Sequence, residues 1–131
     1  MAGVKSDVNN NLHFIGETGE FVCYPVGHNI AIFESETKSQ KYISGIEGSL
    51  AITAMAVTKS KKFLAVAERT DRTPVVSIYD LKHPQFKRKK FISSNELKKE
   101  NKEFISIAFC PKNEKLLVTL TNIPQQNVYI W

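Results

Sequence analysis

A fixed spacing ties together two aromatic residues of this chain. Tyr79 and Trp131 stand fifty-two residues apart, and residues 53–79 slide onto 105–131 without a gap. Ala56 then meets Ala108, Leu64 meets Leu116, Val66 meets Val118, Val76 meets Val128 and Ile78 meets Ile130, with Tyr79 on Trp131. Small and apolar positions match almost throughout. A period in this range marks repeat architectures, in which one unit cannot bury its apolar faces alone and stacks on its copies. The repeat also predicts a further outer strand beyond Trp131, so that the unit in which the sequence stops is incomplete.

The units read as strands. Apolar segments are short, alternating and bounded by turn residues. Strands are expected at Phe21–Tyr24, Ile30–Phe33, Lys41–Ile43, Ile52–Thr58, Phe63–Glu68, Val75–Tyr79, Phe86–Ile92, Phe104–Cys110, Leu116–Thr121 and Asn127–Trp131. Turns are expected at Pro25–Asn29 and Lys59–Lys61, with loops at Ser44–Ser49 and Arg69–Pro74. Thr53, Met55 and Val57 alternate with Ala54 and Ala56, and Ile105, Ile107 and Phe109 alternate with Ser106 and Ala108. Large residues on one face and small ones on the other suit a strand crowded near a central axis. Ser93 and Glu96 form a capping-box pattern, but only Leu97 is apolar nearby. A solvent-exposed insertion is expected there, with or without a helical turn.

At 131 residues and 42% hydrophobic content, the chain has one ordinary domain's length and enough apolar material for a core. No window approaches the roughly 18 apolar residues of a membrane span, so no membrane association is expected. Met1–Asp7 lacks an apolar signal core, and Met1-Ala2 is not a myristoylation start. Cys23 and Cys110 sit in apolar runs and read as reduced core residues of a cytosolic protein. The net charge of +5 is uneven. Residues 1–58 hold six acids and three bases, whereas residues 59–131 hold fifteen bases and seven acids. The basic half invites an anionic partner.

The strand–turn–strand of Ala54–Ala67 with Ser77-Ile78-Tyr79-Asp80 resembles one blade of the WD-repeat family, with Tyr-Asp in the place of Trp-Asp. Ala108-Phe109-Cys110-Pro111 and Leu116-Leu117 look like the start of the next blade, with Trp131 as its end mark. Ile30–Glu34 looks like the matching strand of the preceding blade, placing Phe33 at the same mark. The sequence departs from the common pattern in two ways. Gly27, Thr73 and Gln125 stand six positions before the aromatics, where an acid is common. The usual Gly-His before the innermost strand is missing, since Gly27-His28 lies in a turn. The side-chain hydrogen-bond network built by those residues is therefore not expected in its usual form.

A closer resemblance spans nearly the whole chain. It rests on Gly27-His28-Asn29, Lys41–Gly45, Phe63–Glu68, Ser77–Leu81, Lys87–Lys90 and Phe104–Phe109. These are similar to the N-terminal region of the cilia- and flagella-associated protein fifty-seven family, axonemal WD-repeat proteins. The resemblance implies an all-β fold made of the N-terminal blades of a WD-repeat β-propeller. Residues 1–11 would be a tail, and 12–131 about two and a half blades (12–49, 50–92, 104–131) with a polar insertion at 93–103. Leu12–Ile15 would pair with a strand of the last blade to close the ring. It further implies a non-enzymatic scaffold on the axoneme, in the cytoplasm and cytoskeleton of the cilium or flagellum. The implied partners are other axonemal proteins, inner dynein arm components and tubulin.

No catalytic, cofactor-binding or metal-ligating constellation stands out. His13, His28 and His83 are scattered beside turns and loops, and no Cys-x-x-Cys or His-x-x-x-His pattern offers a metal shell. Gly16–Gly19 and Gly45–Gly48 lack the Lys-Ser/Thr of a phosphate loop. Lys87-Arg88-Lys89-Lys90 is the one charged run above background. It reads either as a contact for an anionic partner or as an outer strand whose lysines block edge-to-edge pairing. Nucleic acid is disfavoured, because Phe86 and Phe91 only flank the run. A basic adaptor binding nucleic acid or another acidic partner outside the cilium is the alternative reading. Phe33, Tyr79, Asp80 and Trp131 are expected to mark the repeat structurally.

Overall fold

The computed structural model describes residues 12–15, 21–34, 36–71, 73–83, 86–93, 103–121 and 128–131. The described elements are eleven strands. They are β1 (His13–Ile15), β2 (Phe21–Val26), β3 (Asn29–Glu34), β4 (Ser39–Ser44), β5 (Ser49–Val57), β6 (Phe63–Thr70), β7 (Val75–Asp80), β8 (Arg88–Ser93), β9 (Phe104–Phe109), β10 (Leu117–Thr121) and β11 (Val128–Ile130). They form three antiparallel meanders, β1-β2-β3-β4, β5-β6-β7-β8 and β9-β10-β11. The expected loop of 93–103 falls outside the described residues over 94–102.

Sheet two is apolar on both faces, and each face has its own core. Ile52, Met55, Leu64, Val66 and Tyr79 pack against Ile15, Cys23, Ile30, Ile32 and Ile43 of sheet one. Ala54, Ala56, Ala65, Ala67, Val76 and Ile92 pack against Phe104, Ile107 and Leu117 of sheet three. The small face of β5 lets β9 approach closely. Met55 is fully buried, and its face is the one opposite the alanines. Thr53 departs from the expected alternation. A bulge falls between Ile52 and Ala54, which brings Ile52 onto the Met55 face and turns the Thr53 hydroxyl to the Ala67 carbonyl at 3.3 Å.

The repeat holds on two strands and slips on the third. Ala56 pairs Ala65, and Ala108 pairs Val118. Leu64 pairs Tyr79, and the Leu117 amide and carbonyl bond those of Trp131. So β9 and β11 keep the spacing of fifty-two, while β10 follows β6 by fifty-three. Leu117 is the counterpart of Leu64, and Thr119 that of Val66. The extra residue lies in the turn. Thr58 N–H bonds the Phe63 carbonyl, whereas Cys110 N–H reaches one position further, to Leu116. A slip of one residue exchanges the faces of a strand, so Leu117 is 2% exposed and Leu116 40%.

Other boundaries differ for local reasons. Pro25 and Val26 continue β2, because Gly27 has φ +58° and a two-residue hairpin closes at Gly27-His28. Phe86 has φ +50°, so β8 starts only at Arg88. His13–Ile15 does not reach for a distant strand. It pairs with Phe21–Cys23 as the first strand of sheet one, a sequence-local hairpin that costs little loop-closure entropy.

The link from sheet one to sheet two is pinned by a buried carboxylate. Glu68, 1% exposed, accepts the Ile46 N–H at 3.1 Å. The His28 imidazole donates from Nδ1 to the Ser49 carbonyl at 3.0 Å. Gly45 is wedged between these groups. A Cβ there would collide with the His28 carbonyl oxygen and stand 3.2 Å from Glu68 Oε2. Both obstacles are held by the sheets. Gly45→Ala is therefore expected to cost about 1–3 kcal/mol, read as a lower denaturation midpoint of the propeller; an unchanged midpoint would show that the link yields.

Sheet three carries an uncovered apolar face, with Val128 63% and Ile130 71% exposed. The isolated 131-residue chain is expected to self-associate through such surfaces. A monomer by light scattering, with one sharp melt, would contradict this.

Candidate protein-binding surface

The aromatic end marks all close the third strand of a sheet. Phe33, Tyr79 and Trp131 are opposite or bonded to Val22, Leu64 and Leu117 in turn. Tyr79 packs into the core shared with sheet one, and Trp131 packs toward sheet two. Trp131 Nε1–H donates to Thr119 Oγ1 at 2.9 Å and its ring stacks on Tyr129 at 5.9 Å. Burial, with the Glu68 carboxylate adding to it, raises the Tyr79 phenol above its ordinary value. Asp80 shapes the turn after β7, accepting the Lys82 N–H at 2.9 Å. Tyr79 and Asp80 are thus held within the frame, whereas Trp131 also lines a groove.

Lys87–Lys90 does not form one patch. A bulge separates the Tyr79–Arg88 pair from the Ile78–Lys90 pair, leaving Lys89 as the extra residue. The Arg88 guanidinium lies over the Phe91 ring at 5.2 Å, on the face of Tyr79 and Ser77. Lys90 lies on the opposite face beside Ile92, turned toward sheet three. Lys89 Nζ stands 4.0 Å from Asp80 Oδ2. Lys87 precedes the strand and offers its carbonyl to the Asp80 N–H at 2.8 Å. Strand geometry divides the run, as alternation requires. Charge and bulge together also protect the edge of sheet two.

Lys89 and Lys90 instead rim a groove between sheets two and three, of about 360 Å³. Its walls are Phe63, Ile78 and Ile92 on one side and Phe109, Leu117 and Trp131 on the other, with Lys115 completing the rim. Glu114 is there too, but Ser60 engages it. The Ser60 hydroxyl and amide donate to Glu114 Oε2 at 2.8 and 3.1 Å, tying two adjacent turns. Those bonds hold the Glu114 carboxyl below its usual range. A smaller groove of about 200 Å³ between sheets one and two is built alike, with Phe21 and Phe86 inside and Lys41, Lys61 and Lys82 around it. At the other end of β6 a cleft of about 570 Å³ includes Glu47 and Asp71 and no cation among its described lining residues. Lys41, Lys61 and Lys115 escaped the sequence reading, which looked for runs; their neighbours come from strands far apart in the chain.

No group of three or more His, Cys, Asp or Glu among the described residues could hold a metal ion. Among the described residues no helix is long and apolar enough to cross a membrane. Burial pushes the Cys23 thiol up to about 12, so it stays protonated and unreactive.

Three stacked antiparallel meanders, each led by an inner strand and marked by an aromatic on its third, are consecutive blades of a β-propeller. The β-propeller domain of Cps50 (Swd1) from Myceliophthora thermophila superposes on 98% of this chain, and on 41% of its own, with a TM-score of 0.65 at 15% identity. By sequence the chain is similar to cilia- and flagella-associated protein 57 of Mus musculus, 29% identical over 98% of this chain and 10% of the relative. It is also similar to cilia- and flagella-associated protein 57 C of Tetrahymena thermophila, 26% identical over 98% of this chain and 10% of the relative. The chain thus spans about a tenth of the length of the curated relatives it matches. No family model matches it.

Replacing Trp131 by Phe removes the indole donor and leaves Thr119, fully buried, without it. A loss of about 1–2 kcal/mol is expected, seen as a lower unfolding midpoint. Thr119→Val in the same background should then cost little more, whereas additive losses would show that the two groups act separately.

Proposed function

We propose that this chain forms the opening blades of a WD-repeat propeller in a non-enzymatic scaffold of the ciliary or flagellar axoneme. Residues 12–49, 50–92 and 104–131 are its successive units, and further blades cover the open face of sheet three. The scaffold helps to assemble or regulate inner dynein arms on doublet microtubules. It does so by binding other axonemal proteins, inner dynein arm components and tubulin among them. The observation that carries this reading is similarity along 98% of the chain to relatives whose names associate them with cilia and flagella. A rigid stack of sheets with variable turns supports a binding role, since such frames present partners with preformed surfaces. The division of the Lys87–Lys90 cations between two faces weighs against the alternative of a nucleic-acid adaptor working through that run.

Tagged full-length protein in a ciliated cell is expected along the axoneme and to stay there after detergent removes the membrane. Its removal should deplete inner-arm density in averaged axoneme images while outer arms remain. Cytosolic or nuclear staining with intact axonemes would overturn the reading.

A further inference from the structure

The charge of this molecule is organised by the edge of the sheets, a pattern that the sequence run at Lys87–Lys90 hides. The turn between β5 and β6 brings Lys59, Lys61 and Lys62, and the turn between β9 and β10 brings Lys112 and Lys115. The Ser60–Glu114 bonds hold the two turns side by side. All but Lys61 of these lysines are exposed. The one carboxylate between them, Glu114, already accepts two hydrogen bonds from Ser60.

Within this basic edge, the groove between sheets two and three is apolar at its floor and cationic at its rim. Its construction recurs one junction earlier. Ile43 and Ile92 are the single buried residues of the two outer strands, and Lys41 and Lys90 stand two places before them, opposite Ile32 and Ile78. In each groove a lysine of the next sheet's first turn faces that outer-strand lysine: Lys61 in one, Lys115 in the other. The outer-strand lysine repeats in register at both junctions, whereas the turn lysine recurs only in kind, since Lys115 is the counterpart of Lys62 and Glu34 also lines the smaller groove.

We propose that the groove between sheets two and three binds an acidic polypeptide segment carrying an aromatic or aliphatic side chain. The apolar side chain enters between Phe109, Leu117 and Trp131, and flanking carboxylates meet Lys89, Lys90 and Lys115. Charge complementarity at such a rim speeds encounter and fixes register, while the buried side chain supplies most of the affinity. Single-stranded nucleic acid fits less well. It needs exposed ring faces for its bases, and Phe63, Phe109 and Trp131 are half-buried, edge-limited walls. The proposal rests on reading the chain as a binding frame and names the ligand class of one surface of it.

The test uses purified full-length protein and a labelled glutamate-rich peptide with one central Phe, followed by fluorescence polarisation. The same peptide with Ser at the centre and an oligo-dT strand are the comparisons. Binding of the Phe peptide is expected, weakened about tenfold or more by the Ser replacement. It should weaken by at least about tenfold in the triple variant Lys89→Glu, Lys90→Glu, Lys115→Glu, whose melting temperature should match the parent because all three side chains are exposed. Absence of peptide binding, binding indifferent to the triple variant, or displacement of the peptide by oligo-dT would each overturn the proposal. The binding assay involves no cilium. A protein that stays on the axoneme but ignores the peptide refutes the groove alone, and one that binds the peptide but never enters a cilium refutes the scaffold reading alone.

Discussion

Everything in this molecule depends on sheets that are apolar on both faces. Sheet two cannot turn either side to water, since Leu64, Val66 and Met55 cover one side and Ala54, Ala65 and Ala67 the other. It must be sandwiched. The asymmetry of the two faces then sets the geometry. At the junction with sheet three the alanines receive Phe104, Ile107 and Leu117, whereas at the junction with sheet one Met55, Leu64, Val66 and Tyr79 interdigitate with the isoleucines of that sheet, and interior packing density is reached in both ways. The aromatic at the end of each third strand projects in the same direction, which explains why Tyr79 and Trp131 mark the repeat.

The polar chemistry serves this stacking. Glu68 spends a buried carboxylate on one backbone amide at Ile46, fixing where the chain leaves sheet one for sheet two. Ser60 and Glu114 join the first turns of sheets two and three. Thr119 receives the Trp131 indole N–H. The first two bonds set one sheet against its neighbour, and the third fixes the Trp131 ring within sheet three. The lysine-rimmed grooves follow from the same architecture. Outer strands bury one isoleucine each and are otherwise exposed, so cations can line the seam without entering the core.

Much of this architecture is legible in the amino-acid sequence. Ten expected strands are present within a few residues, because period-two alternation bounded by turn residues leaves little choice. The alanines of β5 announced a crowded strand. The failures have specific causes. Leu116 was matched to Leu64 because an ungapped overlay cannot see one residue added in a turn and removed before the next strand. Thr53 was placed with Met55 because a bulge looks like ordinary alternation in one dimension. Of the two readings of Lys87–Lys90, the outer strand is the one present, and its bulge sends Arg88 and Lys90 to opposite faces, a division that adjacency in sequence does not show.

Strand order, the repeat and the need for stacking are written in the chain, since all three follow from local periodicity and from apolar faces that water rejects. The register of β10, the sharing of faces and the meeting of Lys89 and Lys90 with Lys115 arise from the folded arrangement. Those depend on how separate sheets align. That alignment is fixed by packing and by bonds such as Ser60–Glu114, between residues too far apart in the chain for any local pattern to record.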